Sequence, residues 1–376
     1  MAMRRLLAGL TSPWSLGFSG FGVAYGVYHI WDSTQSGTKY DLHENLAGKT
    51  YIVTGATSGI GQATAEELAK RNARVIMACR NREKCVEVRR DIVLNTKNKQ
   101  VYCRQCDMAD FDSIVSFVSK LSKGKFELDR IDGIVHNAAI MQGERKVNKE
   151  GIERTLATNH LGPFLMTGLL LEKLQSQSHP VRVVFLNSNV IAKHSPLDYS
   201  NFNEELQSKP EKGVELTEDE LKRPKKWDGY EVYKRTKLAE GITKSNLSSQ
   251  LDSQQFFLSR WMLKPVSFLM GERRTEKAVR PVLYALADPD MEATTGLFIG
   301  RDRKEQSWGE VMDNEDERRR LWAVSQKWTR FSERLNQLHS MIDGKVVVNI
   351  DGRPEDIPGN TTVPQSGRSW RTLWLW

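Results

Sequence analysis

Apolar residues come in short unbroken runs through the first half of this chain, and each run gives way to a stretch with helical spacing. From Thr50 the runs read TYIVTG, RVIMAC, QVYCRQCD, IDGIVHNAA and VRVVFLNS. Between them lie GQATAEELAKRN, REKCVEVRRDIV, FDSIVSFVSKLS and the longer TLATNHLGPFLMTGLLLEKLQ. Runs that do not alternate with polar residues suit strands covered on both faces. Their regular exchange with helices predicts βαβ units and a buried parallel sheet, an α/β fold in a single domain. No internal repeat is evident. The segment from Pro196 to Trp227 is highly charged and carries Pro210 and Pro224, so it reads as a long surface excursion rather than a core element.

The N-terminus follows a different pattern. Arg4 and Arg5 precede WSLGFSGFGVAYGVYHIW, an uncharged stretch from Trp14 to Trp31. Its length is at the low end for a membrane span. Trp at both ends suits the membrane interface, and Gly22 with Gly26 forms a G-x-x-x-G that allows close helix packing in lipid. We read 14–31 as a membrane anchor within an N-terminal arm, 1–45. A mitochondrial-type presequence competes with that reading, because no acid occurs before Asp32. A disordered or surface-lying arm is the third reading.

Composition narrows the function classes. The content is 39% hydrophobic and 27% charged, as in an ordinary globular protein, with a net charge of +8. The charges are mixed in sign and no aromatic-basic array accompanies them, so a solvated surface fits better than nucleic acid. A basic balance also suits a phosphate-bearing ligand. The cysteines are Cys79, Cys85, Cys103 and Cys106. The C-x-x-C at Cys103 and Cys106 lacks a second ligand pair at suitable spacing, so no metal site is expected. Two small buried residues on or near a strand are the expected alternative. No disulfide framework is apparent, which points to a reducing compartment.

TGATSGIG, Thr54 to Gly61, sits between the first strand and the first helix. Gly55, Gly59 and Gly61 let the backbone turn tightly and approach a pyrophosphate, whose charge meets the helix N-terminus. The end of the second strand then selects the dinucleotide. A carboxylate there binds the ribose hydroxyls and repels a 2′-phosphate, but this chain has Ala78-Cys79-Arg80-Asn81. Arg80 suits a 2′-phosphate through charge-assisted bonds, which favours NADP(H). Much later, DGYEVYKRTKLAE places Tyr233 and Lys237 four residues apart, on one face of a helix. A free phenol ionises near pH 10, so proton transfer near neutrality requires the tyrosinate to be stabilised by roughly 4 kcal/mol. An ammonium and a positive nicotinamide nearby would do this.

Taken in order, these pieces resemble the short-chain dehydrogenase/reductase family, especially its retinol-dehydrogenase-like branch. NLAGKTYIVTGATSGIG is similar to the family's first strand and cofactor turn, with Ser58 and Ile60 among the cofactor-binding positions. CDMAD resembles the element that sets Asp107 beside the adenine. HNAAI stands where the family has Asn-Asn-Ala-Gly, so Asn137 and Ala138 match and Ala139 replaces Gly. TNHLGPFLMT, RVVFLNSN and YKRTKLA resemble the segments that carry the catalytic Asn, Ser, Tyr and Lys. The resemblance spans roughly Leu46 to Leu335 and implies a Rossmann-type fold. It also implies roles. Tyr233 passes the proton to or from the substrate oxygen, and Lys237 holds the nicotinamide ribose and lowers the phenol's pKa. Ser188 orients the substrate oxygen, and Asn159 holds the active-site helix and a water. The implied protein is an NADP(H)-dependent oxidoreductase that interconverts an alcohol and a carbonyl, with a lipophilic substrate such as a retinoid or steroid. It is membrane-associated, with the endoplasmic reticulum as the expected site and the mitochondrion as the alternative.

The pattern breaks after the Tyr-x-x-x-Lys helix. The family has a further central strand there, ending in a Pro-Gly turn over the nicotinamide. Here LSSQLDSQQFFLSRWMLKPVSFLMG runs almost directly into RRTEKAVRPVLYALADPD, and Pro265 is followed by Val266. The expected sheet is therefore one strand short, and a family member that binds cofactor or partners without turnover is the rival reading. Residues 336–376 are expected to form a poorly ordered tail.

Overall fold

The computed structural model describes residues 40–187, 197–207, 217, 223–239, 278–292, 294, 297, 299–300, 303–305 and 315–343, together with Gly22, Tyr25 and Gly26. Among the described residues, five strands form one parallel sheet: β1 Thr50–Thr54, β2 Arg74–Cys79, β3 Val101–Gln105, β4 Gly133–His136 and β5 Arg182–Phe185. Their spatial order is β3-β2-β1-β4-β5. The register pairs Val53 with Met77 and Ile52 with Ile134. Side chains alternate across the pleat. Ile52, Ile76, Ile134 and Val183 therefore enter one core, while Val53, Val75, Met77, Val135 and Val184 enter the other.

Helices cover both faces. On one lie α1 (Gly59–Lys70), α2 (Arg82–Thr96) and a helix over 278–287. Leu286 of that last helix comes so close to β4 that a Cβ on Gly133 would meet its Cδ1 at 2.6 Å. The other face carries α3 (Phe111–Ser122) and a long rod, α4, which runs over 154–175. The middle of α4, Ala157–Leu161, is a π turn. A single π turn re-aims the side chains on either side of it and is frequent at functional sites. α5 (Gly229–Leu238) follows the charged excursion, and α7 (Glu315–Thr329) and α8 (Phe331–Asp343) close the described chain, α6 being the helix over 278–287.

Three expectations need correction. α8 passes the Leu335 boundary and continues to Asp343, because Phe331, Leu335, Leu338 and Ile342 recur at helical spacing and join the core over α3 and α4. The charged excursion is not all surface. Phe202 is buried and meets Tyr199 and Trp328, and Asn203 accepts from the Glu153 backbone N–H at 2.8 Å. Polar neighbours can enter a core once each is hydrogen-bonded. Finally, Cys85 and Cys103 are joined as a disulfide between α2 and β3, while Cys79 and Cys106 are free and buried. Among the described residues β5 pairs with β4 alone. The segment in which the sequence reading places the strand gap, 240–277, lies outside them, as do 14–21, 23–24 and 27–31 of the expected anchor and all of the expected tail beyond Asp343. No helix among the described residues is long and apolar enough to cross a membrane.

Candidate active site

The strand order reverses direction between β1 and β4, and a parallel sheet opens a crevice at the carboxyl ends of two such strands. The chain has placed its glycine turn there. Gly55 and Gly59 take φ of +64° and +56°, a region that an L side chain rarely adopts. A Cβ on Gly61 would stand 2.3 Å from Asn137 Nδ2 and 2.6 Å from the Gly55 carbonyl. Thr54 and Asn137 lock the turn to the end of β4. The Thr54 hydroxyl accepts from the backbone N–H groups of Asn137 and Ala138, both at 3.0 Å, and Asn137 Nδ2 donates to the carbonyls of Thr54 and Gly55 at 3.0 and 3.2 Å. Asn137 thus braces the turn.

The start of α1 differs from its neighbours. Asn81, Asp110 and Asp228 each accept backbone N–H bonds on the first turns of α2, α3 and α5. Ser58, at the same position on α1, makes no such bond. Helix N-termini carry unmatched N–H groups and partial positive charge, so α1 presents Gly59, Ile60 and Gly61 as an anion-ready end. Arg80 is exposed at the end of β2, one residue before the α2 cap. Asp107, part-buried after β3, accepts from the Ala109 N–H at 3.0 Å.

A second cluster gathers on the other side of β4. Asn159 lies in the π turn of α4 and is fully buried. Its carboxamide accepts from the Ile140 N–H at 2.8 Å and donates to the Ile140 carbonyl at 2.9 Å and to Thr236 Oγ1 at 3.0 Å. Thr236 in turn donates to the Tyr233 carbonyl at 2.9 Å. Tyr233 and Lys237 are 5% and 2% exposed, and Lys237 Nζ donates to the Leu186 carbonyl, just past β5, at 2.8 Å. An ammonium so deeply buried is costly without such an acceptor. Ser188 lies outside the described residues, two positions beyond Leu186.

α5 is held at both ends. Trp227 Nε1 donates to the Gln142 carbonyl at 3.0 Å, and a Cβ on Gly229 would lie 1.9 Å from that oxygen, so the helix start fits only glycine. Arg235 meets Glu204 at 2.6 Å. Burial pushes the Glu204 carboxyl above the usual range, with Arg235 opposing the shift. Glu153, also raised by burial, caps α4 through the N–H groups of Thr155 and Leu156 at 2.8 and 2.7 Å. Sequence reasoning missed Thr54, Thr236 and the Glu204–Arg235 pair. Only Thr236 left a local signal, as the residue before the lysine in YKRTK.

Residues 49–199 match the family described as short chain dehydrogenase. Retinol dehydrogenase 13 of Mus musculus is 34% identical over 289 residues, spanning 74% of this chain and 83% of that protein. The chain belongs to the short-chain dehydrogenase family. Within that family it falls in the retinol-dehydrogenase-like branch. Retinol dehydrogenase 13 of Homo sapiens is 30% identical over 323 residues, covering 84% of this chain and 94% of the relative. Retinol dehydrogenase 11 of Homo sapiens is 33% identical over 290 residues, covering 74% and 85%. The doubly wound fold is shared with a crystal structure of an uncharacterized protein from Mycobacterium paratuberculosis, at a TM-score of 0.54 and 23% identity, covering 76% of this chain and 95% of that one. As a member of this family the chain is an oxidoreductase that takes a nicotinamide cofactor.

Proposed function

We propose that this oxidoreductase is specific for NADP(H) and interconverts a lipophilic alcohol and its carbonyl. The observation that carries the reading is the linked set Asn159–Thr236–Tyr233, with Lys237 on the same helix, at the crevice that the glycine turn also borders. The turn and the uncapped start of α1 fit a pyrophosphate: Gly55, Ser58, Gly59, Ile60 and Gly61 would hold it, with Arg80 on a 2′-phosphate and Asp107 and Ala138 toward the adenosine. When bound, the nicotinamide would donate or accept the hydride. Tyr233 moves the proton at the substrate oxygen. Lys237, one helical turn further on, keeps a positive charge near the phenol, which favours its anion. Asn159 holds the π turn against the Ile140 loop, and so fixes the wall that faces Tyr233. Ser188 orients the substrate oxygen.

The substrate class rests on the relatives, whose names give retinol as the alcohol. Attachment to membranes through 14–31, at the endoplasmic reticulum or else the mitochondrion, rests on the uncharged aromatic stretch. The test is isotopic. NADPH deuterated at the transferring position is incubated with the protein and retinaldehyde, and the alcohol is analysed by mass spectrometry. Deuterium in the retinol supports the reading; no labelled alcohol from retinaldehyde or from a panel of steroid ketones sinks it. Cofactor choice is tested by Arg80→Ala, which should weaken NADPH binding roughly 10- to 100-fold and NADH binding less than about 3-fold. Equal losses would reject Arg80 as the selector.

A further inference from the structure

The disulfide between Cys85 and Cys103 has a third sulfur beside it. The Cys79 thiol stands 2.9 Å from Cys85 Sγ, well inside ordinary contact for two sulfurs. Three different elements supply the group: Cys79 ends β2, Cys85 lies in the first turns of α2, and Cys103 is in the middle of β3. Cys79 and Cys85 are buried at 2% and 1% exposure, whereas Cys103 is part-exposed. Cys106 packs in the opposite core and takes no part. Cys79 immediately precedes Arg80, and the carbonyl of its neighbour Ala78 accepts from the Gly55 N–H at 3.1 Å, so Cys79 lies next to the glycine turn.

We propose that Cys79, Cys85 and Cys103 form a thiol–disulfide exchange site that takes a low-molecular-weight disulfide at Cys103. Cys85 has two partners within reach and can bond only one at a time. In the exchange the Cys79 proton passes to water, to be taken up by the thiolate released at the end, and the Cys79 sulfur attacks Cys85 Sγ. The Cys79–Cys85 bond forms as the Cys85–Cys103 bond breaks, and the electron pair leaves on Cys103. No net oxidation occurs. The Cys103 thiolate, on the exposed side of the group, then attacks a small disulfide such as oxidised glutathione. It keeps one half as a mixed disulfide and releases the other as a thiol. Burial pushes the Cys79 thiol up to about 12, so little of it is thiolate at any moment. Its fixed placement against Cys85 compensates by making the attack intramolecular.

The site does not depend on the redox chemistry proposed for the crevice. The full chain, wild type and Cys79→Ser, is held with oxidised glutathione near neutral pH for hours, then acid-quenched, alkylated, digested without reductant and mapped by mass spectrometry. The expected wild-type product is a Cys79–Cys85 bridge with glutathione on Cys103. Cys79→Ser should keep Cys85–Cys103 and carry about tenfold less glutathione, since Cys85 displaces it again. Cys79→Ala serves as a second variant with the same expectation. A wild type that keeps Cys85–Cys103 with Cys79 unpaired throughout, or equal glutathione on Cys103 in wild type and variants, would overturn the proposal.

Discussion

At the scale of single residues, the proposed reacting groups stand out in the sequence and their supports do not. Gly55, Gly59, Gly61, Asn159, Tyr233 and Lys237 announce themselves through spacing, because a tight turn or a shared helix face is a local property of the chain. Thr236 makes its contact with Asn159 across 77 positions, which no local pattern encodes. Its hydroxyl both receives Asn159 Nδ2 and reaches the Tyr233 carbonyl, so it joins the π turn to the helix that bears the phenol. Thr236→Val keeps the shape and removes that join. Leaving the buried Asn159 amide short of a partner costs about 1–3 kcal/mol. Turnover should fall roughly tenfold or more, with NADPH affinity within about twofold, and Thr236→Ser should restore most of the rate. A Val variant with unchanged turnover would reduce Thr236 to packing.

At the scale of elements, apolar runs and helical spacing foretold all five strands and α1 to α4, since a doubly wound sheet needs strands that are apolar on both faces. The stretch just past Leu335, up to Asp343, differs from expectation for a reason of the same kind. The family resemblance fades near Leu335, but hydrophobic periodicity does not, and Leu338 is 2% exposed against the α3 and α4 side of the core. Leu338→Ala should therefore lower stability by about 2–4 kcal/mol, read as a shifted denaturation midpoint. A cost below about 0.5 kcal/mol would mean that α8 merely rests on the surface. The charged excursion was misjudged because Phe202 and Glu204 are buried by long-range partners, Trp328 and Arg235, that composition cannot show.

At the scale of the whole molecule, two buried imidazoles couple folding to pH. Burial pushes His136, stacked on Phe185, down to about 3, and burial with the nearby Lys237 pushes His160 down to about 4. An unfolded histidine takes its proton near pH 6.5. Below that pH the unfolded chain binds more protons than the folded one, so this contribution is complete above about pH 6.5 and is lost as the pH falls toward 4, by about 1.4 kcal/mol per unit for each residue. Between about pH 7 and pH 5, His136→Leu should lose about 2 kcal/mol less stability than wild type. Parallel losses in the two proteins would show that His136 titrates normally in the fold. The assembly as a whole brings the glycine turn and Tyr233 toward one crevice, and the central proposal is that this crevice performs turnover rather than binding alone. NADPH affinity and NADPH consumption with a lipophilic aldehyde are to be measured side by side for wild type and Tyr233→Phe. The account predicts comparable affinity in the two proteins and consumption by wild type alone; a wild type that binds NADPH but never consumes it, or a Tyr233→Phe variant that consumes it at the wild-type rate, would contradict it.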